Sequence, residues 1–263
     1  MTAEPSRGVR RPGEMLPGAL VLLRHGQSTA NATGIFTGLL DVPLTAAGER
    51  EGREAGAAVA SIRPRIGLIL RSTMHRAAQT TAIVVDALGD PVPEVRADWR
   101  LNERNYGALT GRTKADVLAE VGPEQYLRWR RTMTGAPPPM TPERLAAIAR
   151  AATDEGRPRA ELGLTESLQD VVRRVRPVLT TVLIPMLRTR TVLVVAHGNS
   201  LRALVALIEH LDDTEVEALN LPTAQPLVYR LADGRPHDIV ERGWLDAATA
   251  EAAAEQIARE GGT

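Results

Sequence analysis

The sequence predicts an α/β protein of three layers, α/β/α, in which helices cover both faces of a mostly parallel central sheet. The apolar runs at residues 19–23 and 66–70, and the β-branched and apolar run at residues 191–195, are typical of strands buried on both faces. Stretches of helical length separate these runs, and such alternation indicates parallel strands joined by helical crossovers. Open sheets of this kind bind ligands beyond the carboxyl ends of their strands, so we expect the active site there.

Capping residues and prolines define the predicted helices. Thr45 is a favourable N-cap, and the proline-rich residues 136–139 break the chain between two helical stretches. Pro177 and Pro185 should kink or end the long helix that contains them. Helices are predicted over residues 45–61, 74–88, 114–121, 123–132, 141–154, 167–187, 200–210 and 247–259.

The remaining segments are late strands, a loop and the two ends of the chain. Residues 226–231 and 237–240 are predicted strands, and residues 101–110 are predicted as loop because they carry no clear period. A single domain is expected over residues 18–245. A flexible N-terminal extension at residues 1–17 would precede it, and a helical tail at residues 246–263 would follow it.

The composition argues against several classes of protein. With 32 cationic and 32 acidic side chains, the formal net charge is +0, which disfavours binding to nucleic acid or membranes through a broad basic field. No apolar segment approaches the length of a membrane span. The absence of cysteine excludes disulfides, thiolate catalysis and cysteine-bound metals. These features are compatible with the cytoplasm, where we expect the protein.

Two histidines follow apolar strands, each in nearly the same short sequence motif. His25 follows the first strand in Arg-His-Gly-Gln-Ser, and His197 follows the run 191–195 in Ala-His-Gly-Asn-Ser. In a parallel sheet both reach the same edge, together with Arg24 and with Arg76 on the helix after the second strand. Two guanidinium groups beside two imidazoles can surround a phosphate, because planar forks supply paired charge-assisted hydrogen bonds and imidazoles donate or attack.

Other interpretations of the same histidines compete with a phosphate site. A histidine after a strand is often a structural hydrogen-bonding residue. A metal site is disfavoured because no histidine pair has helical metal-ligand spacing, so we expect no metal. A Ser-His-Asp hydrolase is disfavoured because no Gly-x-Ser-x-Gly string follows a strand, and the chain has no P-loop string.

Longer strings occur in one order from about residue 20 to the C-terminal tail. They are residues 22–28, 31, 36–38, 41–45, 101–109, 129–131, 164–167 and 196–204. Together they resemble the cofactor-dependent phosphoglycerate mutases of the histidine phosphatase superfamily. The Arg-His-Gly triplet is typical of the whole superfamily, whereas Leu-Asn-Glu-Arg at residues 101–104 and Trp-Arg-Arg at residues 129–131 are more specific to the mutase branch.

The resemblance implies a role for each matching residue. His25 would carry a phosphoryl group on a ring nitrogen, and Glu103 would be the general acid and base. The phosphoryl oxygens would be held by Arg24, Arg76 and His197. The substrate would be bound at Asn31, Thr37, Gly38, Tyr106, Lys114, Arg130, Arg131, Gly198 and Asn199. Lys114 is the single lysine of the chain, so its compact ammonium would fall on a substrate-binding position.

The implied reaction is the interconversion of 2-phosphoglycerate and 3-phosphoglycerate in glycolysis and gluconeogenesis. Its cofactor would be 2,3-bisphosphoglycerate, its substrate a small phosphorylated carboxylic acid, and its assembly a homodimer or homotetramer. Gln27 and Ala30 depart from the acidic residue and the tryptophan that are common in the family, at the border of the pocket.

Three alternatives to the mutase reaction therefore stay open. They are a phosphatase that uses the same phosphohistidine, a diverged paralogue for another phosphorylated acid, and a non-catalytic phosphate-binding protein. The tail after Trp244 resembles the family's mobile segment. The sequence leaves open whether its helix is a lid or a packed surface helix.

Overall fold

The computed structural model describes residues 18–151, 163–232 and 239–259, so the predicted N-terminal extension lies outside the described residues. Within these ranges one sheet contains β1 (Ala19–Arg24), β2 (Ile66–Arg71), β3 (Glu94–Ala97), β4 (Thr191–Ala196), β5 (Leu227–Leu231) and β6 (Ile239–Trp244). The strands lie in the order β3-β2-β4-β1-β5-β6. The pairs β3-β2, β2-β4 and β4-β1 are parallel, whereas β5 is antiparallel to both β1 and β6. The predicted mostly parallel sheet is confirmed.

Helices flank this sheet on both faces. Those described are α1 (Thr29–Ala32), α2 (Ala46–Ala60), α3 (His75–Leu88), α4 (Lys114–Arg131), α5 (Pro142–Ala151), α6 (Leu168–Val178), α7 (Ile184–Leu187), α8 (Gly198–Glu209), α9 (Asp213–Ala218) and α10 (Ala247–Arg259). A π-helical turn, Leu179–Leu183, joins α6 to α7, and short 3-10 turns are formed by Trp99–Leu101 and Gly107–Leu109. Among the described helices, none combines the length and apolarity that a bilayer span requires.

The two faces of β1 explain why its sequence is apolar without interruption. Leu20 and Leu22 pack in the cluster formed with α6 and α8, whereas Val21 and Leu23 pack in the cluster formed with α2 and α3. Burying a side chain of this size contributes about 1.5–3 kcal/mol. Since alternate side chains of a strand point to opposite faces, both faces of this strand must be apolar.

Three elements were missed by the sequence pattern, namely β3, α1 and α9. All four residues of the edge strand β3 are exposed, so no apolar run marks it. The helices α1 and α9 have four and six residues, which is too short to show a helical period. The predicted break after residue 121 is confirmed, because Gly122 has a φ of 75° inside α4.

The long helix predicted over residues 167–187 changes type between its two prolines. Pro177 lies inside α6, which ends one residue later, and the π-helical turn follows directly. Pro185 lies in the first turn of α7, immediately after that turn. The predicted helix at residues 141–154 is α5, and its last three predicted residues lie outside the described part of the chain.

The register between β1 and β4 brings together the two motifs that contain His25 and His197. Arg24 is aligned with Ala196, and the amide of His25 donates to the Ala196 carbonyl at 3.0 Å. Glycine is needed immediately after His25, because a Cβ at Gly26 would lie 2.2 Å from the carbonyl oxygen of Gly48 in α2. This close approach packs the first turn of α2 directly against the loop that carries His25.

Candidate active site

His25 is held as a neutral imidazole whose Nε2 carries a lone pair. The ring is 3% exposed, and its Nδ1 lies 2.7 Å from the carbonyl oxygen of Gly26. Since a carbonyl oxygen only accepts, Nδ1 carries the proton. Consistently, Nε2 accepts a hydrogen bond from Nε of Arg76 at 3.1 Å. The fold therefore leaves the lone pair of His25 on Nε2.

Burial keeps both histidines uncharged at neutral pH. The pKa of His25 lies well below 6.5, chiefly because burial disfavours the imidazolium and secondarily because of the positive charges of Arg76 and Arg24. The pKa of His197 is likewise well below 6.5, first through burial and then through Arg76, His25 and Arg24. A neutral His25 is the form that can attack phosphorus.

His197 lies beside His25 and is anchored at its far side. The two ring centroids are 4.9 Å apart with an edge-on geometry. Nε2 of His197 lies 2.7 Å from the hydroxyl of Ser72, and this hydroxyl donates to Oδ1 of Asn102 at 2.7 Å. Ser72 and Asn102 were not predicted as site residues. The signal for Ser72 is its place at the carboxyl end of β2, the edge on which the site was expected.

Two arginines, the buried Arg76 and the half-buried Arg24, supply positive charge next to His25. Arg76 is 1% exposed and donates from Nη1 to the carbonyl of Leu40 at 2.9 Å. Burial lowers its pKa to about 10, so it stays cationic at neutral pH. Arg24 donates from Nη1 to the carbonyl of Leu221 at 2.9 Å, and its buried Nε has no acceptor among the described residues. An anion bound in the cleft would accept a hydrogen bond from this Nε–H group.

One carboxylate oxygen of Glu103, Oε1, accepts two hydrogen bonds. The residue is 8% exposed, and its Oε1 accepts from the amide of Arg104 at 2.7 Å and from Nδ2 of Asn199 at 3.1 Å. The same Nδ2 group donates to the hydroxyl of Tyr106 at 2.9 Å. Because two N–H groups point at Oε1, a proton on the carboxyl group belongs on Oε2. The carboxyl group thus has a defined oxygen for proton transfer.

One cleft collects the nucleophile, the carboxylate and the cations. Its walls are Arg24, His25, Asn31, Ile35, Phe36, Thr37, Arg76, Glu103, Tyr106 and Lys114. The positive side chains outnumber the single carboxylate, so the cleft favours an anionic ligand. A larger outer chamber shares Arg24, Asn31 and Lys114 with it, and residues Ala253, Gln256 and Ile257 of α10 line its far wall.

Other predicted substrate-binding residues lie next to the cleft. Arg130 is 1% exposed, donates to the hydroxyl of Tyr126 at 2.6 Å and lies over the ring of Phe36, 5.8 Å from its centroid. Arg131 donates to Oδ1 of Asn220 at 3.2 Å and to carbonyls at the end of α9. The structure therefore places Arg130 next to the rings of Phe36 and Tyr126. The described side-chain hydrogen bonds of Arg131 are made toward α9.

Backbone positions among the predicted residues have distinct roles. Gly38 has a φ of 51°, and a Cβ there would lie 2.9 Å from Oγ1 of Thr110. Gly198 begins α8 directly after His197, so its amide lies at a helix N-terminus. Asn199 was predicted to bind substrate, and in the structure its amide group bridges Glu103 and Tyr106.

Among the described residues, no cluster of His, Asp or Glu could hold a metal ion.

Comparisons with known proteins agree with the motifs and the geometry. The model of the histidine phosphatase superfamily (branch 1) matches residues 20–161 and 141–240. The chain is 42% identical over 243 residues to a 2,3-bisphosphoglycerate-dependent phosphoglycerate mutase of Thermobifida fusca, covering 92% of this chain and 98% of the relative. It is 42% identical over 250 residues to a protein of the same name from Mycobacterium tuberculosis, covering 93% and 98%. A solved structure of a mycobacterial glucosyl-3-phosphoglycerate phosphatase with VO3 is similar, with a TM-score of 0.65, 26% identity and coverage of 86% of this chain and 97% of that chain.

Proposed function

The chain belongs to the histidine phosphatase superfamily, and we propose that it interconverts 2-phosphoglycerate and 3-phosphoglycerate through a phosphohistidine at His25. The observation that carries this proposal is the unprotonated Nε2 of His25 in a cationic cleft that also contains Glu103. The mutase relatives, 42% identical over nearly their whole length, support the choice of substrate.

The positive charge of the cleft suits the cofactor 2,3-bisphosphoglycerate, an anion with two phosphates and a carboxylate. Arg24 and Arg76 are placed to hold one phosphate, and the unsatisfied Nε of Arg24 gives it a ready donor. Lys114 and Tyr106, farther along the same cleft, are placed to hold the other anionic groups. When bound, the cofactor supplies the phosphoryl group that primes His25.

The first half-reaction moves a phosphoryl group to His25. Nε2 forms a bond to phosphorus while the phosphorus–oxygen ester bond breaks, and the electron pair of that bond goes to the leaving oxygen. That oxygen takes a proton from Oε2 of Glu103. Arg24 and Arg76 stabilise the charge on the transferring oxygens, and His197 stays a prediction as a third contact to them.

The second half-reaction is the reverse on a substrate that presents its other hydroxyl. Glu103, now a carboxylate, removes the hydroxyl proton as that oxygen attacks phosphorus, and the bond from Nε2 to phosphorus breaks. Asn31 and Thr37 line the cleft and supply neutral polar contacts during reorientation. Arg130, Arg131, Gly38, Gly198 and Asn199 stay predictions as substrate-binding residues.

A phosphatase is the second candidate, and the similarity to a glucosyl-3-phosphoglycerate phosphatase favours it. It would use the same phosphohistidine and transfer the phosphoryl group to water. The outer chamber beside the cleft offers room for solvent. The two reactions differ only in the acceptor that reaches phosphorus on His25.

One assay separates the two functions. Purified protein is incubated with 3-phosphoglycerate, with and without 2,3-bisphosphoglycerate, while phosphorus NMR follows 2-phosphoglycerate and inorganic phosphate together. We expect 2-phosphoglycerate to form far faster when the bisphosphate is present, with little inorganic phosphate. Release of inorganic phosphate without interconversion would instead support the phosphatase, and absence of both reactions would overturn the proposal.

A further inference from the structure

A buried ion pair lies against the loop that carries Glu103, outside the cleft itself. Nε of Arg174 donates to Oε1 of Glu166 at 2.8 Å, and Nη2 of Arg174 donates to Oε2 at 3.2 Å. The two side chains are 9% and 10% exposed. Neither residue lines the cleft, and neither was predicted from the sequence to have a role in catalysis.

Both partners of this pair also bind the backbone on either side of Glu103. Nη2 of Arg174 donates to the carbonyl oxygen of Glu103 at 3.2 Å, and Nη1 donates to the carbonyl oxygen of Arg100 at 2.6 Å. Oε2 of Glu166 accepts from the amide of Asn105 at 2.8 Å. The pair therefore fixes the chain at Glu103 itself, three residues before it and two residues after it.

The loop depends on these contacts because regular structure does not hold it. Residues 102–106 lie between two 3-10 turns and belong to no strand or helix of the described chain. The backbone of Glu166 adds a third link, since its carbonyl accepts from Nε of Arg104 at 2.7 Å and its amide donates to Asn105 O at 2.9 Å. Hydrogen bonds from a charged group are shorter and stronger than neutral ones, so this pair can hold the loop in one position.

Stability alone does not account for an ion pair at this place. Burying two charges costs desolvation energy, and apolar residues of similar volume are often as good or better for the stability of a fold. An apolar pair, however, cannot form hydrogen bonds with two backbone carbonyls and one backbone amide around Glu103. The contacts thus indicate a role in placing the carboxylate.

We propose that Glu166 and Arg174 are positioning residues that set the distance between Oε2 of Glu103 and the leaving oxygen. The inference rests on the proposed function, in the part that makes Glu103 the proton donor. Its consequence is specific, because a displaced carboxylate impairs only those transfers whose leaving oxygen needs a proton. Attack by His25 and binding of the phosphoryl group would be unaffected.

Two phosphoryl donors test this directly. With 2,3-bisphosphoglycerate the leaving oxygen is an alkoxide that needs a proton, whereas p-nitrophenyl phosphate releases a phenolate that needs none. Phosphorylation of His25 is followed in single turnovers as acid-labile phosphate, and the ratio of the two rates is compared with that of the wild type. The variants are Glu166→Gln, Arg174→Gln and Glu103→Gln, and the control is Arg173→Gln, whose side chain is 70% exposed.

We expect Glu166→Gln and Arg174→Gln to lower the rate ratio of alkyl to aryl donor by about 10-fold to about 100-fold. Arg173→Gln should keep the wild-type ratio, and Glu103→Gln should lower it most. If Arg174→Gln does not fold, Glu166→Gln decides alone, since glutamine keeps the acceptor for Asn105.

The outcomes separate the inference from the proposed function. If Glu103→Gln lowers the rate ratio but neither Glu166→Gln nor Arg174→Gln does, the inference is overturned while the acid role of Glu103 stands. If Glu166→Gln and Arg174→Gln lower the rates with both donors equally, the inference is also overturned, because that is the effect of a merely structural role. If Glu103→Gln leaves the ratio unchanged, the acid role in the proposed function fails and the inference fails with it.

Discussion

Replacing Gly48 by alanine should destabilise the protein, because the backbone of the His25 loop occupies the space that a side chain would need. A Cβ at Gly48 would lie 2.0 Å from the carbonyl oxygen of Gln27 and 2.7 Å from its amide nitrogen. Cβ atoms essentially never approach other heavy atoms closer than 3.0 Å. The first turn of α2 would therefore have to move away from the loop by about 1 Å.

The size of the effect follows from the contacts that this movement stretches. The amide of Thr45 donates to Gln27 O at 2.9 Å, its hydroxyl donates to Gln27 Oε1 at 2.9 Å, and the amide of Gln27 donates to Glu51 at 2.8 Å. Each such hydrogen bond contributes about 0.5–1.5 kcal/mol, and overpacking itself costs about 1–3 kcal/mol. We expect the free energy of unfolding to fall by roughly 3–6 kcal/mol.

Gly52→Ala is the matched control, since it adds the same methyl group to the same helix. A Cβ at Gly52 would approach the side chain of Ile83 to 3.4 Å, which is an ordinary contact. Alanine is favoured over glycine inside a helix by about 1 kcal/mol, so this variant should be as stable as the wild type or more stable.

Urea unfolding followed by circular dichroism measures both variants. Similar unfolding free energies, within about 1 kcal/mol of each other, would refute the argument that close approach of α2 fixes the His25 loop.

Further predictions concern the site residues and pH. His25→Ala should abolish acid-labile phosphate on the protein, because no other described residue presents an unprotonated ring nitrogen to the same cleft. Lys114→Ala should reduce mutase kcat/KM by about 10-fold to about 100-fold, the loss expected for a charged hydrogen bond, while some phosphoryl uptake by His25 remains. Equal and total loss of both activities would contradict this division of roles. The free energy of unfolding should fall as the pH drops below 6.5, because the unfolded chain then binds protons that buried His25 and His197 do not. The slope should approach about 1.4 kcal/mol per pH unit for each histidine, as measured by urea midpoints between about pH 7.5 and about pH 5. A stability that does not vary with pH would be the contrary result.

Most of the fold was predictable because burial leaves a local record in the sequence. The strands β1, β2 and β4 are buried in the middle of the sheet, so nearly every residue in them is apolar. The edge strand β3 is exposed throughout and left no such record. Cap residues such as Thr45 and the break at Gly122 also act locally, and both were predicted correctly.

The candidate site was predictable in its composition and less so in its contacts. His25, Arg24 and Arg76 were expected together at one edge of the sheet, Glu103 and Lys114 were added by the family resemblance, and all five line one cleft. By contrast, the hydrogen bonds of Asn199 to Glu103 and Tyr106 join residues about 95 positions apart in the chain. Such pairings depend on how the layers pack, and no short string of residues encodes them.

By itself, the sequence determined the class of fold, the edge of the sheet that carries the site, and the residue types available for phosphoryl transfer. Each of these follows from patterns within a few residues, namely apolar runs, caps and the histidine motifs. Only the tertiary structure decided which nitrogen of His25 is unprotonated, which oxygen of Glu103 accepts two N–H groups, and that Glu166 and Arg174 bind the backbone around Glu103. The physical reason is that hydrogen bonds are directional and short-ranged, so proton positions are fixed only when distant segments meet.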